Sequence, residues 1–112
     1  MEIVYKSNTV KKQCTELRRA KRDFPEKIAK KLLSKVNFLE AAENLESVIN
    51  NQILHFHDLK GSLDGAYAID IDGRKSPYRL IVRFDDYTKE LVFADSKSIE
   101  IIKITEVSKH YE

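Results

Sequence analysis

Apolar and polar positions alternate briefly at the start of the chain, take up helical spacing through its first half, and return to alternation in the second. Ile3 and Tyr5 alternate with Glu2 and Val4, which predicts a short strand over Glu2 to Tyr5. Ser7 or Asn8 can cap the helix that follows. Val10, Cys14, Leu17 and Phe24 recur at helical spacing there, while Lys11, Lys12, Arg18, Arg19 and Arg22 turn outward. A second helix is expected from Asp23, which has capping-box spacing to Glu26. Pro25 suits its first turn, where a missing N–H costs nothing. Ile28, Leu32, Val36 and Leu39 form its apolar stripe, and Lys27, Lys30, Lys31 and Lys35 its polar side. After a kink, Ala42, Leu45, Val48 and Ile49 carry the pattern to Asn50 and Asn51.

The second half reads as extended. Tyr67, Ile69 and Ile71 alternate with Ala68, Asp70 and Asp72, as in a strand with one buried face. Gly73 to Pro77 makes a turn. Tyr78, Leu80, Val82 and Phe84 then point one way, and Arg79, Ile81 and Arg83 the other. Leu91 to Ala94 is expected to be a further short strand. Ile99 to Val107 is expected to be a longer one, covered on both faces because Ile99, Ile101, Ile102 and Ile104 leave neither side polar. The order strand, helix, helix, then strands predicts an α+β fold, with two helices on one face of a mostly antiparallel sheet. At 112 residues the chain is expected to form one domain, 1–112.

Composition narrows the function classes. With 42% hydrophobic and 34% charged residues, the chain suits a globular protein rather than a disordered one. No apolar run approaches the roughly 20 residues of a membrane-crossing helix, so no membrane partner is expected. Met1-Glu2-Ile3-Val4-Tyr5 is not a basic-then-apolar leader, and Cys14 has no second cysteine to pair with, so a cytoplasmic setting is expected. Cys14 itself stands on the apolar stripe and reads as a core residue. The net charge of +2 hides an asymmetry: residues 1–36 carry eleven Lys/Arg against four Asp/Glu, and the remainder nine against fourteen. That split fits a basic face for a polyanion, or helices that show their cations to water.

Imidazoles and cations gather around His55-Phe56-His57-Asp58-Leu59-Lys60-Gly61 and the strand Tyr78 to Phe84. Arg79 and Arg83 share the strand face turned away from the helices, roughly 13 Å apart. A guanidinium there can fork a phosphate or pair with Asp70 or Asp72 across the ladder. Pairing is the expectation for Arg83. His55 and His57 point the same way in an extended segment. His-x-His can hold a metal, but with only two ligands in view none is expected, and no cofactor. Imidazoles beside Lys60 suit proton transfer near neutral pH, or they are surface histidines bonded to backbone. Lys109, His110 and Tyr111 either complete a site on the open sheet face or belong to a frayed end. Cutting RNA internally requires a proton taken from the 2′-hydroxyl, charge stabilised on phosphorus oxygens, and a proton returned to the 5′-oxygen. His57 and His110 for protons, with Arg79, Lys60 and Arg74 for the anion, cover those needs without a metal.

The same residues resemble the central signature of the HigB-type plasmid-maintenance killer toxins of the RelE superfamily. Its elements are a His-Pro-Leu-Lys-Gly-like stretch (here His57-Asp58-Leu59-Lys60-Gly61), a strand, then aromatic-Arg (here Tyr78-Arg79) and an apolar strand. The resemblance implies a ribosome-dependent endoribonuclease that cuts messenger RNA, acts without metal and halts translation. It also implies a HigA-like helix-turn-helix antitoxin that holds the toxin in a hetero-oligomer. By position it names Arg79, His57, Lys60 and His110 as catalytic. Arg74, Arg83, Lys109 and Tyr111, with Lys11, Lys12, Arg18, Arg19 and Arg22 of the first helix, are then expected to bind RNA. Tyr67 stands where that family often has Trp. The tail Ser108-Lys109-His110-Tyr111 departs from the family's Asp-Tyr-His ending, which leaves the Asp role empty. That departure supports an alternative, a non-catalytic RNA- or protein-binding domain of the same fold. A metal-dependent nuclease is the third reading.

Overall fold

A computed structural model describes residues 1–109, and His110 and Tyr111 lie outside the described residues. In chain order the elements are β1 (Glu2–Tyr5), α1 (Asn8–Thr15), α2 (Leu17–Asp23), α3 (Glu26–Ala41) and α4 (Leu45–Ile49). They continue as β2 (His57–Asp58), β3 (Tyr67–Asp70), β4 (Tyr78–Arg83), α5 (Lys89–Ala94) and β5 (Ile101–Lys109). The strands form one five-stranded sheet in the order β1-β5-β4-β3-β2. β1 runs parallel to β5 and the other three pairings are antiparallel, so the fold is α+β on a mixed sheet.

The predicted first helix is two helices. Ser7 caps α1 by accepting the Val10 N–H at 3.2 Å. At its far end Thr15 bonds back to the Lys11 carbonyl at 2.7 Å and Glu16 becomes extended, which breaks the run. Asp23 does not cap α3 as expected. It ends α2, where it accepts from Gln13, Arg19 and Arg22, and Pro25 takes the cap position. The expected kink is a full break at Ala42, after which Asn44 caps α4 by accepting the Ser47 N–H at 3.2 Å.

Three expectations for the second half are corrected. Leu91 to Ala94 is not a strand but part of α5, whose start is fixed by the Thr88 hydroxyl accepting the Leu91 N–H at 3.4 Å. β5 is covered on one face only: Ile102 and Ile104 are buried, while Ile101 is 54% exposed. Ile99 owes its burial to the short turn before the strand, not to strand alternation. The main core lies on that side, where Val10, Cys14, Ile28, Leu32, Val36 and Leu39 of the helices meet Tyr67, Ile69, Leu80, Val82, Ile102 and Ile104 of the sheet. The opposite face sets Ala68 against Ile81 and Asp70 against Arg79, with Arg83 further along β4. Ala68, Asp70 and Ile81 are buried there too, so β3 is covered on both faces and not on one as expected. Among the described residues no helix is long and apolar enough to cross a membrane.

Candidate functional site

The site begins with a change of chain direction after α4. Asn51 caps a single tight turn, Gln52–Leu54, by accepting the Ile53 N–H at 3.2 Å. His55 then adopts the left-handed conformation, φ 47° and ψ 51°, which is uncommon away from glycine and carries a strain of about 1–2 kcal/mol. That turn settles the alternation that follows. Leu54 is buried and Phe56 stacks on Tyr67 at 5.2 Å on the core side, which leaves His55 and His57 on the other. β2 is only two residues long, too short for its pattern to show in the sequence, yet it pairs His57 with Ala68.

Ala68 faces Ile81 on its other side, and with Ala66 and Leu59 they form a small apolar floor on the face away from the helices. Above this floor lies a cleft of about 360 Å³. It is lined by His55 and His57 and, from the turn between β3 and β4, by Arg74, Lys75 and Pro77. The two imidazoles stack at 4.4 Å between centroids. His57 Nδ1 lies 2.7 Å from the His55 carbonyl oxygen. A carbonyl only accepts, so Nδ1 carries the proton and the neutral ring keeps its lone pair on Nε2.

Asp70 and Arg79 lie directly opposite each other across the hairpin. The Asp70 carboxylate is 1% exposed, with Arg79 Nε 3.1 Å from Oδ1 and His55 Nδ1 3.4 Å from Oδ2. Neither contact is aligned as a directed hydrogen bond: Arg79 pairs with the carboxylate by charge, and both carboxylate oxygens and His55 Nδ1 lack a hydrogen-bond partner. The rest of the Arg79 guanidinium is turned inward. Nη1 donates to the carbonyls of Tyr78 at 2.9 Å, Gly73 at 3.4 Å and Ser76, and Nη2 donates to Arg74 at 2.9 Å. Arg79 therefore pins the turn that presents Arg74 and Lys75.

The sequence expectations are redistributed accordingly. The expected pairing with Asp70 belongs to Arg79, not to Arg83, which reaches over Gly65 and joins none of the ion pairs among the described residues. His57, Arg79 and Arg74 meet at the cleft, but Lys60 is exposed and outside its lining. Lys109 sits opposite Tyr78 on the helix side, its ammonium 5.8 Å from that ring, so it does not join the open face. Lys11, Lys12 and Arg18 are exposed on the helices behind the sheet, and Arg19 and Arg22 are held by Asp23 at 2.9 and 3.3 Å. The sequence marks neither Lys75 nor the buried Asp70 as a site residue, and it offers His55 only as half of a His-x-His pair. Asp70 was visible as a possible partner across the hairpin, but the choice between the arginines depended on a register that only the turn length sets. Asp70 also brings to the two histidines the third donor the sequence did not reveal, with one donor atom from each residue lying within 4.8 Å of the others.

No protein-family model matches the chain, and no curated protein sequence does. Among solved structures it resembles the YoeB–YefM complex from Staphylococcus aureus, at 19% identity and TM-score 0.53 over 99% of this chain and 98% of that one. It also resembles a YoeB/ParE toxin from Agrobacterium tumefaciens, at 11% identity and TM-score 0.55 over 99% and 100%. A YoeB dimer from S. aureus matches at 20% identity and TM-score 0.50 over 99% and 98%. At such identities the likeness is one of fold: the chain has the RelE/YoeB toxin-like fold.

Proposed function

We propose that the chain is the toxin of a toxin–antitoxin pair and an endoribonuclease that cuts messenger RNA on the ribosome, in the cytoplasm. The observation that carries this reading is the cleft on the sheet face away from the helices, which the His57 imidazole, with Nε2 free, lines together with the exposed cations Arg74 and Lys75. The fold shared with YoeB/ParE toxins over nearly the whole chain supports it. His57 takes the 2′-hydroxyl proton as the 2′-oxygen attacks phosphorus. Arg74 and Lys75 steady the charge on the phosphorus oxygens. The bond to the 5′-oxygen breaks, and His110, the residue named by the HigB resemblance, returns a proton to it. The products are a 2′,3′-cyclic phosphate and a 5′-hydroxyl, and no step uses a metal.

A protein antitoxin is part of the proposal, because one structural neighbour is a complex of YoeB with YefM. The neighbours support such a partner without selecting the HigA-like helix-turn-helix type, and they favour the YoeB/ParE branch over HigB. The exposed cations of α1 and α2 are assigned to ribosomal RNA, on the side of the sheet away from the message.

A second reading, a non-catalytic RNA-binding domain, is favoured by one observation: Arg79, the resemblance's leading catalytic residue, has its guanidinium committed to four backbone carbonyls and Asp70. Expression in bacteria separates the two. The wild-type chain should arrest growth, and His57→Gln or the double change Arg74→Ala with Lys75→Ala should relieve the arrest at equal protein levels. Full toxicity of the His57→Gln chain would end the catalytic assignment.

A further inference from the structure

We infer that His55, His57 and Asp70 form a binding site for a divalent transition metal of the zinc class, opening onto the cleft. The donor set is two imidazoles and one carboxylate, with ligand atoms within 4.8 Å of one another. Neutral nitrogens with one hard oxygen suit Zn²⁺ and its neighbours rather than Mg²⁺ or Ca²⁺, which take oxygen ligands.

Three features beyond proximity support the site. The His55 Nδ1 to Asp70 Oδ2 separation of 3.4 Å matches the edge of a tetrahedron with bonds of about 2.0–2.1 Å, so these two donors need little movement to share an ion. The Asp70 carboxylate is buried, and neither of its oxygens receives a directed hydrogen bond, nor does His55 Nδ1. A buried carboxylate in that condition is costly, and a cation between it and the imidazole removes the cost. Finally, His57 donates its Nδ1–H to the His55 carbonyl, the bond that orients a ligating histidine and leaves Nε2 for the metal.

Arg79 does not compete for the same oxygen. It faces Oδ1 while His55 faces Oδ2, so it acts as the outer partner that holds the carboxylate in place. Three protein donors leave a fourth position open toward the cleft, between the histidines and the turn bearing Arg74, for water or a phosphate oxygen. The left-handed backbone at His55 brings the first two donors together, giving that strain a purpose. The site stands whether or not the chain cuts RNA. Under the nuclease reading a bound metal occupies the lone pair that would accept the 2′ proton, so occupancy silences the cleft rather than driving it.

Co²⁺ supplies the test, since its visible absorption reports ligation by nitrogen and oxygen. Titrated into the full chain, it should develop those bands to saturation at one equivalent, and Zn²⁺ should displace it. His55→Gln, His57→Gln and Asp70→Asn should each weaken binding by about tenfold or more, a floor taken from the loss seen when only an outer partner of a ligand is removed. Asp70→Asn tests a buried group, so circular dichroism accompanies it. If that variant does not fold, the two partly exposed histidine variants decide. Absence of ligation bands in the wild-type chain, or equal affinity in wild type and both histidine variants, would overturn the site. Binding is read without RNA, so loss of the nuclease reading leaves this result intact.

Discussion

Asp70 and Arg79 show how far single residues organise the site. Removing the guanidinium strands a buried carboxylate and frees the turn between β3 and β4. Arg79→Ala is therefore expected to lower stability by about 3 kcal/mol, as when one partner of a buried ion pair is deleted. Arg79→Lys should recover little, because one ammonium cannot reach four carbonyls at once. Denaturant unfolding of both variants checks this, and a wild-type midpoint for Arg79→Ala would contradict the pinning role. Asp23 gives a pH-dependent case. Hydrogen bonds from Gln13, Arg19 and Arg22 hold its carboxyl at about 2, below the ordinary 3.8. Its folded-state value is depressed, so its contribution is present above the unfolded value and lost as pH falls from about 3.8 through about 2. Comparing the acid unfolding of wild type with that of Asp23→Asn should show the difference between them closing in that window. Burial pushes the Cys14 thiol up to about 12, so it should resist alkylation at neutral pH until the domain unfolds.

Among the elements, those that bury one whole stripe could be read from the sequence, and those decided by a single bond could not. The Ile28-Leu32-Val36-Leu39 stripe and the alternation of Tyr78 to Arg83 became α3 and β4 because packing and periodicity agree there. The apolar spacing of the first helical stretch runs unbroken through Glu16, while one hydroxyl bond from Thr15 and an extended residue divide it. Leu91-Val92-Phe93-Ala94 has the apolar run of a short strand, but the Thr88 cap decides for helix. Thr88→Ala should therefore cost about 1 kcal/mol, measurable by thermal unfolding. β4 and β5 yield a contrast: Leu80→Ala should cost about 3 kcal/mol, while Ile101→Ala, on a half-exposed position of the same sheet, should cost little. Equal losses at the two sites would mean that the far face is covered at β5 as well.

Across the whole molecule, the sheet separates two charged regions. Lysines and arginines of α1 and α2 lie behind it, and the imidazole cleft with Arg74 and Lys75 lies in front. The charge asymmetry and the α+β order were legible, because they are sums over many residues. The cleft was legible only in part. His57, Arg74 and Arg79 were marked by residue type, but Asp70, Lys75 and the inward turn of Arg79 follow from hairpin register and from carbonyls that no sequence pattern displays. The central claim is that this cleft breaks a ribose–phosphate bond by 2′-oxygen attack on a message held by the ribosome. The most direct measurement incubates purified chain with a translated message, and with the same RNA alone, and identifies the ends produced. The account predicts cuts only in the presence of ribosomes, with 2′,3′-cyclic phosphate and 5′-hydroxyl ends that disappear with His57→Gln. An intact message beside active ribosomes, or cuts that leave 5′-phosphates, would contradict it.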